Sequence, residues 1–366
     1  MPTLDGFAGY EVYNRPSSLR PVLPSEMRDP NAALPFSKNI GRVGIKFSWP
    51  VFVKSLYTLR QRAALMHLAS RDKKRLSRIQ REAKLVGSVA YLKYMESLFR
   101  ALKTKEHSIY ATRKKIALMV KEGRAPQSSL LTLDAKINDL KMNIIGIEEQ
   151  KNTLRSTIET LTGISIEHSV GLYQKRAVKR GDIFAIAPLQ KSLKAAQKGI
   201  KAAKERYYPS LAMKGSYTFS NADAYNNDKS VNTHYGSLGM YVNIPLYDSS
   251  HSTGVEEAKL NYLKAKSHIA ETKERLEIQA KELSREIGLL KRSQQLARKN
   301  IRNQRALLKI AKVSLANEVI TQEEYLRYED ALANAKATLY QSEAKKWQDI
   351  AQLAVIYGND LKRIVK

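Results

Sequence analysis

Four stretches of the chain alternate apolar and polar residues with a period of two. Leu211, Met213, Gly215, Tyr217 and Phe219 interleave with Ala212, Lys214, Ser216, Thr218 and Ser220, as in a strand with one apolar and one wet face. Leu238, Met240, Val242, Ile244 and Leu246 stand in the same way against Ser237, Gly239, Tyr241 and Asn243. Nearer the N-terminus, Val43, Ile45, Phe47, Trp49 and Val51 oppose Arg42, Gly44, Lys46 and Ser48, and Leu4, Ala8, Tyr10 and Val12 mark a partner. The pattern predicts strands over 2–13, 40–52, 209–220 and 235–247, with loops near Asn14 to Asn39 and Asn221 to His234.

Between the strand pairs the pattern turns helical. From Lys54 to Glu122 there is no proline and only Gly87, so at about 1.5 Å per residue the segment reaches on the order of 100 Å. A turn at Gly123-Arg124-Ala125-Pro126 precedes a return helix from Gln127 to Thr162, ended by Gly163, and the hairpin spans 54–162. A second hairpin, 253–357, breaks around Asn317 to Thr321 and stops before Gly358. In it Leu276, Ala280, Leu283, Ile287 and Leu290 recur at alternating steps of four and three, the seam of a coiled-coil contact and therefore core. A shorter helix, 185–208, leads into the third strand.

These elements repeat. At an offset of 195, Pro50, Ala63, Leu65, Leu68, Gln127, Leu131 and Gly163 recur as Pro245, Ala258, Leu260, Leu263, Gln322, Leu326 and Gly358. Upstream the offset is 207, because Pro2, Leu4 and Tyr10 match Pro209, Leu211 and Tyr217. The chain thus reads as a first repeat, 1–163, a connector, 164–184, and a second repeat, 185–366, each built of strand, strand and long helical hairpin.

Alternation alone also fits an antiparallel sheet packed on helices in a soluble protein. The strand lengths match what a tilted strand needs to cross a bilayer, and Trp49, Phe52, Tyr207, Tyr208 and Tyr247 gather where strands meet helices, like an aromatic girdle. On that reading Arg42, Lys46 and Lys214 line the lumen. Four strands cannot close a barrel, and open edges are not tolerated in lipid, so copies must associate. Two would give eight strands and three would give twelve; the strand pattern does not choose.

Composition narrows the chemistry. The absence of cysteine removes disulfides, thiolate metal sites and thiol catalysis. Six scattered histidines offer no metal spacing, and there is no phosphate-binding glycine loop or nucleophile elbow, so neither an enzyme nor a bound metal or cofactor is expected. No run of apolar residues is long enough for a transmembrane helix, and MPTLDGFAGYEVYNRP does not read as a signal peptide. The formal charge of +28 is large, and residues 54–122 alone carry 18 basic against 5 acidic residues. Such charge suits a solvated face, nucleic acid or an acidic membrane surface. A soluble basic coiled-coil protein that binds nucleic acid or acidic membrane surfaces is therefore the competing reading, although it leaves the strands without a role.

Two short junctions carry a resemblance. Ala203-Lys204-Glu205-Arg206-Tyr207-Tyr208-Pro209-Ser210-Leu211 runs a small, basic helix end into a proline and a strand, and Val242-Asn243-Ile244-Pro245-Leu246-Tyr247-Asp248 ends a strand in a proline before the long helix. In this order, and over nearly the whole chain, the sequence resembles the TolC family of outer-membrane efflux proteins. The resemblance implies a mainly α fold with a β-barrel component: a homotrimer with a twelve-stranded barrel in outer-membrane lipid and an α-helical barrel in the periplasm. It implies a passive exit duct for efflux or type I secretion, served by a periplasmic adaptor protein and an inner-membrane pump, with no catalysis and no nucleic-acid partner.

The resemblance also assigns the hairpin tips. Gly123, Pro126 and Gln127 in the first hairpin and Val319, Thr321 and Gln322 in the second would meet the adaptor. The family's Val-Gly-Thr turn corresponds to Val319-Ile320-Thr321, without the glycine, and of its two carboxylate positions one is Leu326 and the other Glu329. Glu329, with Glu323, Glu324 and Asp330 beside it, would form the pore constriction, because symmetry-related acids around a narrow tube make a negative ring. The last three also suit a helix N-terminus as solvated first-turn acids. The second repeat has a helix before its first strand and the first has none, which leads to the expectation of a fragment lacking its signal peptide and opening helices.

Overall fold

The structure, a computed structural model, describes residues 2–28 and 32–366, with the side chains of Ser249 and Gln322 outside the described set. The elements are β1 (Thr3–Ser18), β2 (Phe36–Phe52), α1 (Lys54–Lys121), α2 (Gln127–Thr162), α3 (Ala187–Lys204), β3 (Ser210–Asp223), β4 (Ser230–Asn243), α4 (Ser249–Ala316) and α5 (Gln322–Tyr357). They fall into two compact units: Met1–His67 with Lys191–Lys266, and Leu68–Gln190 with Ser267–Lys366. Among the described residues no helix is long and apolar enough to cross a membrane.

The repeat is structural as well as sequential. α1 and α4 are both 68 residues long and α2 and α5 both 36, every boundary displaced by 195. β3 starts 207 residues after β1. Helix breakers set these limits. Gly163 and Gly358 end α2 and α5 in left-handed backbone, φ 74° and 68°, where a side chain is strained.

The first unit holds one antiparallel sheet in the order β1-β2-β3-β4. The central pairing, β2 with β3, joins the two repeats, from Gly41 opposite Asn221 to Trp49 opposite Met213. β1 and β4 are the edges. The strands extend past the alternating segments at their loop ends, since Ser17, Ser18, Ser37, Asn221 and Asp223 still pair although they bury no apolar face. The connections are accordingly shorter than expected, β1 ending at Ser18 before β2 resumes at Phe36, and β3 ending at Asp223 before β4 resumes at Ser230. At the other end β4 stops at Asn243, because its neighbour β3 begins there, opposite, at Ser210. Ile244, Leu246 and Tyr247, expected in the strand, therefore lie beyond it. Helix α4 begins at Ser249 rather than 253 because the Asp248 carboxylate accepts from the Ser250 amide and hydroxyl, at 2.9 and 2.6 Å, and satisfies first-turn donors.

The second unit is packed by its helices. Val86 and Ala90 of α1 meet Trp347, Ile350, Ala351 and Ala354 of α5, closed by Leu361 and Ile364 of the C-terminal turn. Ala280 and Leu283 of α4 pack on Leu353 and Ile356 with Leu276 and Ile287 alongside, the seam expected from their spacing. The connector is pinned along its length: Ser169 donates to Glu96 through amide and hydroxyl, and Tyr173 exchanges backbone bonds of 2.9 Å with Lys366.

Candidate functional site: the amphipathic sheet and the hairpin tips

Register puts most of the apolar strand residues on one side of the sheet, with Phe7, Ile40 and Tyr241 on the other. Leu4 opposes Phe47, Phe47 opposes Gly215, and Gly215 opposes Leu238; two positions along, Trp49 opposes Met213 and Met213 opposes Met240. Val43, Ile45, Tyr217, Phe219 and Val242 join this face. No helix covers it. Leu238 and Val12 are both 72% exposed, and Leu4, Met240 and Val242 are comparably bare. A soluble sheet would bury such a face, so the reading of a sheet packed on helices is not supported.

The opposite face carries most of the polar strand residues. Arg42, Lys46 and Lys214 all stand on it, and each has company. Arg42 pairs with Glu11 at 3.0 Å and donates to the Ser18 carbonyl. Lys46 sits 4.4 Å from the Phe7 ring centre and opposes Asp5 across the ladder. Lys214 lies 5.5 Å from the Tyr241 ring. Ser216 and Ser237 share a 2.9 Å hydrogen bond between them.

The aromatic residues proposed as a girdle divide into two kinds. Trp49, Phe52 and Tyr208 are exposed at the sheet's helical end. They are joined by Tyr57, which the sequence reading passed over because it lies inside a helix; its ring is 6.3 Å from that of Phe52. Tyr207 is a clamp. Its hydroxyl accepts from the Asp248 amide at 3.1 Å and donates to the Asp248 carbonyl, and its ring meets His251 edge-on at 3.9 Å, tying the start of β3 to the start of α4. Tyr247 is exposed in the segment after β4.

The two tips are built alike. α1 ends with Gly123 in left-handed backbone, the Arg124 amide donating to Met119 and the Gly123 amide to Val120. α4 ends with the same pair of bonds, Val319 to Ser314 and Glu318 to Leu315. The return helices start differently. Pro126 caps α2 with no side-chain bond, whereas Thr321 and Glu324 form a reciprocal box at the start of α5. The amide and hydroxyl of Thr321, in that order, hold the Glu324 carboxyl below its usual range. Gln127 opens α2, and Val319 is among the most exposed residues of the tip. The side chain of Gln322 lies outside the described residues.

Glu329 is half-buried and engaged at both oxygens, accepting from Ser108 of α1 at 2.8 Å and from Tyr325 at 3.1 Å. Burial first, then the Glu329 charge, pushes the Tyr325 hydroxyl up. Asp330 reaches Lys105 of α1 at 3.1 Å, and Glu323 pairs along its own helix with Arg327. The sequence reading found these acids but not Ser108 or Lys105. Nothing in the periodicity of α1 reveals which of its polar residues face α5. Beside them a groove of about 730 Å³ runs between α1, α2 and α5, floored by Leu102, Ile109, Ile116, Leu133 and Leu326.

One buried acid also escaped notice. Asp349 of α5 is 5% exposed, with one carboxylate oxygen lacking a hydrogen-bond partner. Burial, reinforced by Glu286 and Glu282 and opposed by Lys345, pushes its pKa to about 6.

A strand pair followed by a long helical hairpin occurs twice in the chain, and the one sheet that the strands form leaves its apolar face exposed. Residues 184–359 match the model of the Outer membrane efflux protein family. None of the curated proteins matches the chain in sequence. Solved structures do. The CmeC outer membrane channel of Campylobacter jejuni aligns with TM-score 0.74 and 16% identity over 98% of this chain and 78% of that one. VceC of Vibrio cholerae gives 0.71 and 14% over 98% and 87%. The open state of the Neisseria gonorrhoeae MtrE channel gives 0.71 and 16% over 100% and 82%. Residues 184–359 thus carry an outer membrane efflux protein domain, and the chain as a whole shares the fold of these channels.

Proposed function

We propose that the chain is the outer-membrane exit duct of an export assembly, passing substrate handed over by a periplasmic adaptor and an inner-membrane pump. The observation that carries this reading is the sheet: one face is apolar and exposed, and among the described residues the outer edges of β1 and β4 have no partner strand. Hydrocarbon accepts such a face but not open edges. Pairing β4 of one copy with β1 of the next removes every edge, and three copies give the twelve strands of the family's barrel. Arg42, Lys46 and Lys214 then line the outer pore, and the helices extend into the periplasm.

At the tips, the groove beside Leu326 has an apolar floor and a rim of Lys105, Lys136, Asp139 and Arg327, which suits an amphipathic helix of an adaptor. Gly123, Pro126, Gln127, Val319, Thr321 and Gln322 border the same end of the hairpins. Glu329, with Glu323, Glu324 and Asp330, narrows the duct there. Electron microscopy of the detergent-purified chain tests the whole reading. A threefold tube supports it; a particle that stays monomeric and soluble without detergent overturns it.

A further inference from the structure

The charge of the first unit is unevenly placed. The four strands carry five basic and three acidic residues, whereas the adjoining helix ends, residues 53–67, 191–209 and 244–266, carry twelve and four. The excess therefore lies beside the sheet's helical end, where Trp49, Phe52, Tyr57 and Tyr208 are exposed.

Geometry decides which side of these helices the charge occupies. Phe52 pairs with Leu211 and so shares the apolar face of the sheet, and the Tyr57 ring rests against it, which fixes the side of α1 that continues that face. At about 100° per residue, Lys54, Arg60 and Gln61 each lie within about 60° of Tyr57. Gln61 accepts a 2.8 Å bond from Lys198 of α3, which marks the matching side of that helix; Lys201 falls within about 60° of Lys198, and Lys204 lies about 60° further round, at the edge of that side and away from Gly199. The other side is a different surface, a groove lined by small residues such as Ala196, Gly199 and Ala203 together with Leu59, Arg62 and Arg206.

Lys54, Arg60, Lys201 and Lys204 are exposed. Lys201 keeps 62% of its side chain free beside the buried Glu205, which also takes the Thr58 hydroxyl. Each lies within nine residues of a strand end, so at about 1.5 Å per residue all stand within roughly 14 Å of the apolar belt. That depth spans the headgroup layer and the Debye length beyond it.

We propose that Lys54, Arg60, Lys201 and Lys204 form a basic collar that binds acidic phospholipid headgroups of the leaflet facing the periplasm. The inference rests on the outer-membrane reading above. The aromatic rings set the depth of the interface and the collar selects the lipid charge, with long basic stems reaching along the belt toward phosphate.

The test uses the full chain, inserted into bilayers of mixed phosphatidylethanolamine and phosphatidylglycerol, then extracted in mild detergent for mass spectrometry of the retained lipid. Phosphatidylglycerol should be enriched, by about fivefold for each basic side chain that engages, and rising salt should erode the enrichment. R60E/K201E/K204E should reduce retention to bilayer composition while R60K/K201R/K204R preserves it. Equal enrichment in wild type and charge-reversed chain overturns the collar, as does retention of soluble anionic cell-wall fragments in place of lipid. Channel conductance read on the same bilayers separates the two ideas: no insertion counts against the exit duct, and insertion without lipid preference counts against the collar alone.

Discussion

Gly123 and Glu318 stand 195 residues apart and hold the same left-handed backbone, φ 69° and 57°, at corresponding ends of α1 and α4. Both ends close with the same pair of backbone bonds. The repeat therefore preserves the turn rather than the residue, and the second tip places a side chain where glycine is the relaxed choice.

Replacing Glu318 by glycine should tighten the second tip. Relief of left-handed strain is worth about 1 kcal/mol, close to a fivefold gain in amide protection at Glu318 and Val319 by hydrogen exchange. Gly123→Ala should loosen the first tip by a similar factor. Unchanged exchange in both would mean that the tips open without passing through these bonds.

Glu329 links α5 to α1, so its removal should act on the joint. Glu329→Ala leaves Ser108 and Tyr325 without their acceptor, and Ser108→Ala removes one bond while keeping the acid. Both should raise the closed-state leak of the reconstituted channel if the contact holds the tip together. If only Glu329→Ala acts, its charge rather than the contact matters. Unchanged conductance in both removes Glu329 from the gate.

The helix-ending glycines Gly163 and Gly358 should respond unequally to alanine. A methyl group at Gly163 meets nothing within 4 Å, so strain alone, about 1 kcal/mol, is lost. At Gly358 the added carbon would fall 2.4 Å from the Phe184 ring, which adds an overpacking cost of about 1 to 3 kcal/mol. Denaturant unfolding of the two variants should show the larger loss at Gly358; equal losses would mean that Phe184 moves aside freely.

What the sequence disclosed, and what it withheld, follows from the range of the interactions. The strand faces and the helical hairpins were legible because Leu211 to Phe219 and Lys54 to Glu122 encode them in local periodicity. The strand ends were not, since Ser17, Ser37 and Asp223 pair through backbone groups that no side-chain pattern marks. The second tip was blurred because Glu318 gives no glycine signal. Ser108 and Lys105 acquire their roles only when α1 lies against α5, a register that no single segment contains.

Asp349 gives the protein a pH dependence of definite sign. Its folded pKa, about 6, lies above the usual aspartate range, so the folded state holds a proton that the unfolded chain releases. The penalty is absent at low pH and grows as pH rises from about 4 to 6, reaching about 3 kcal/mol. Asp349→Asn should flatten stability over that window and raise it at pH 7. A parallel pH profile for variant and wild type would place the titration elsewhere.

The strongest test of the sheet compares neighbouring residues. Leu238 lies on the apolar face and Ser237 on the polar one, so lysine at the two positions probes opposite environments one residue apart. A lysine facing hydrocarbon at mid-bilayer costs about 2 to 4 kcal/mol in a barrel, while a polar lumen accepts it. Leu238→Lys, alone or with Met240→Lys, should prevent membrane assembly, and Ser237→Lys should assemble and carry current. The reverse result would mean that the polar face meets lipid, and equal tolerance would mean that neither face does. The comparison needs no knowledge of pump, adaptor or cargo, because only the direction of a strand's side chains distinguishes the two substitutions.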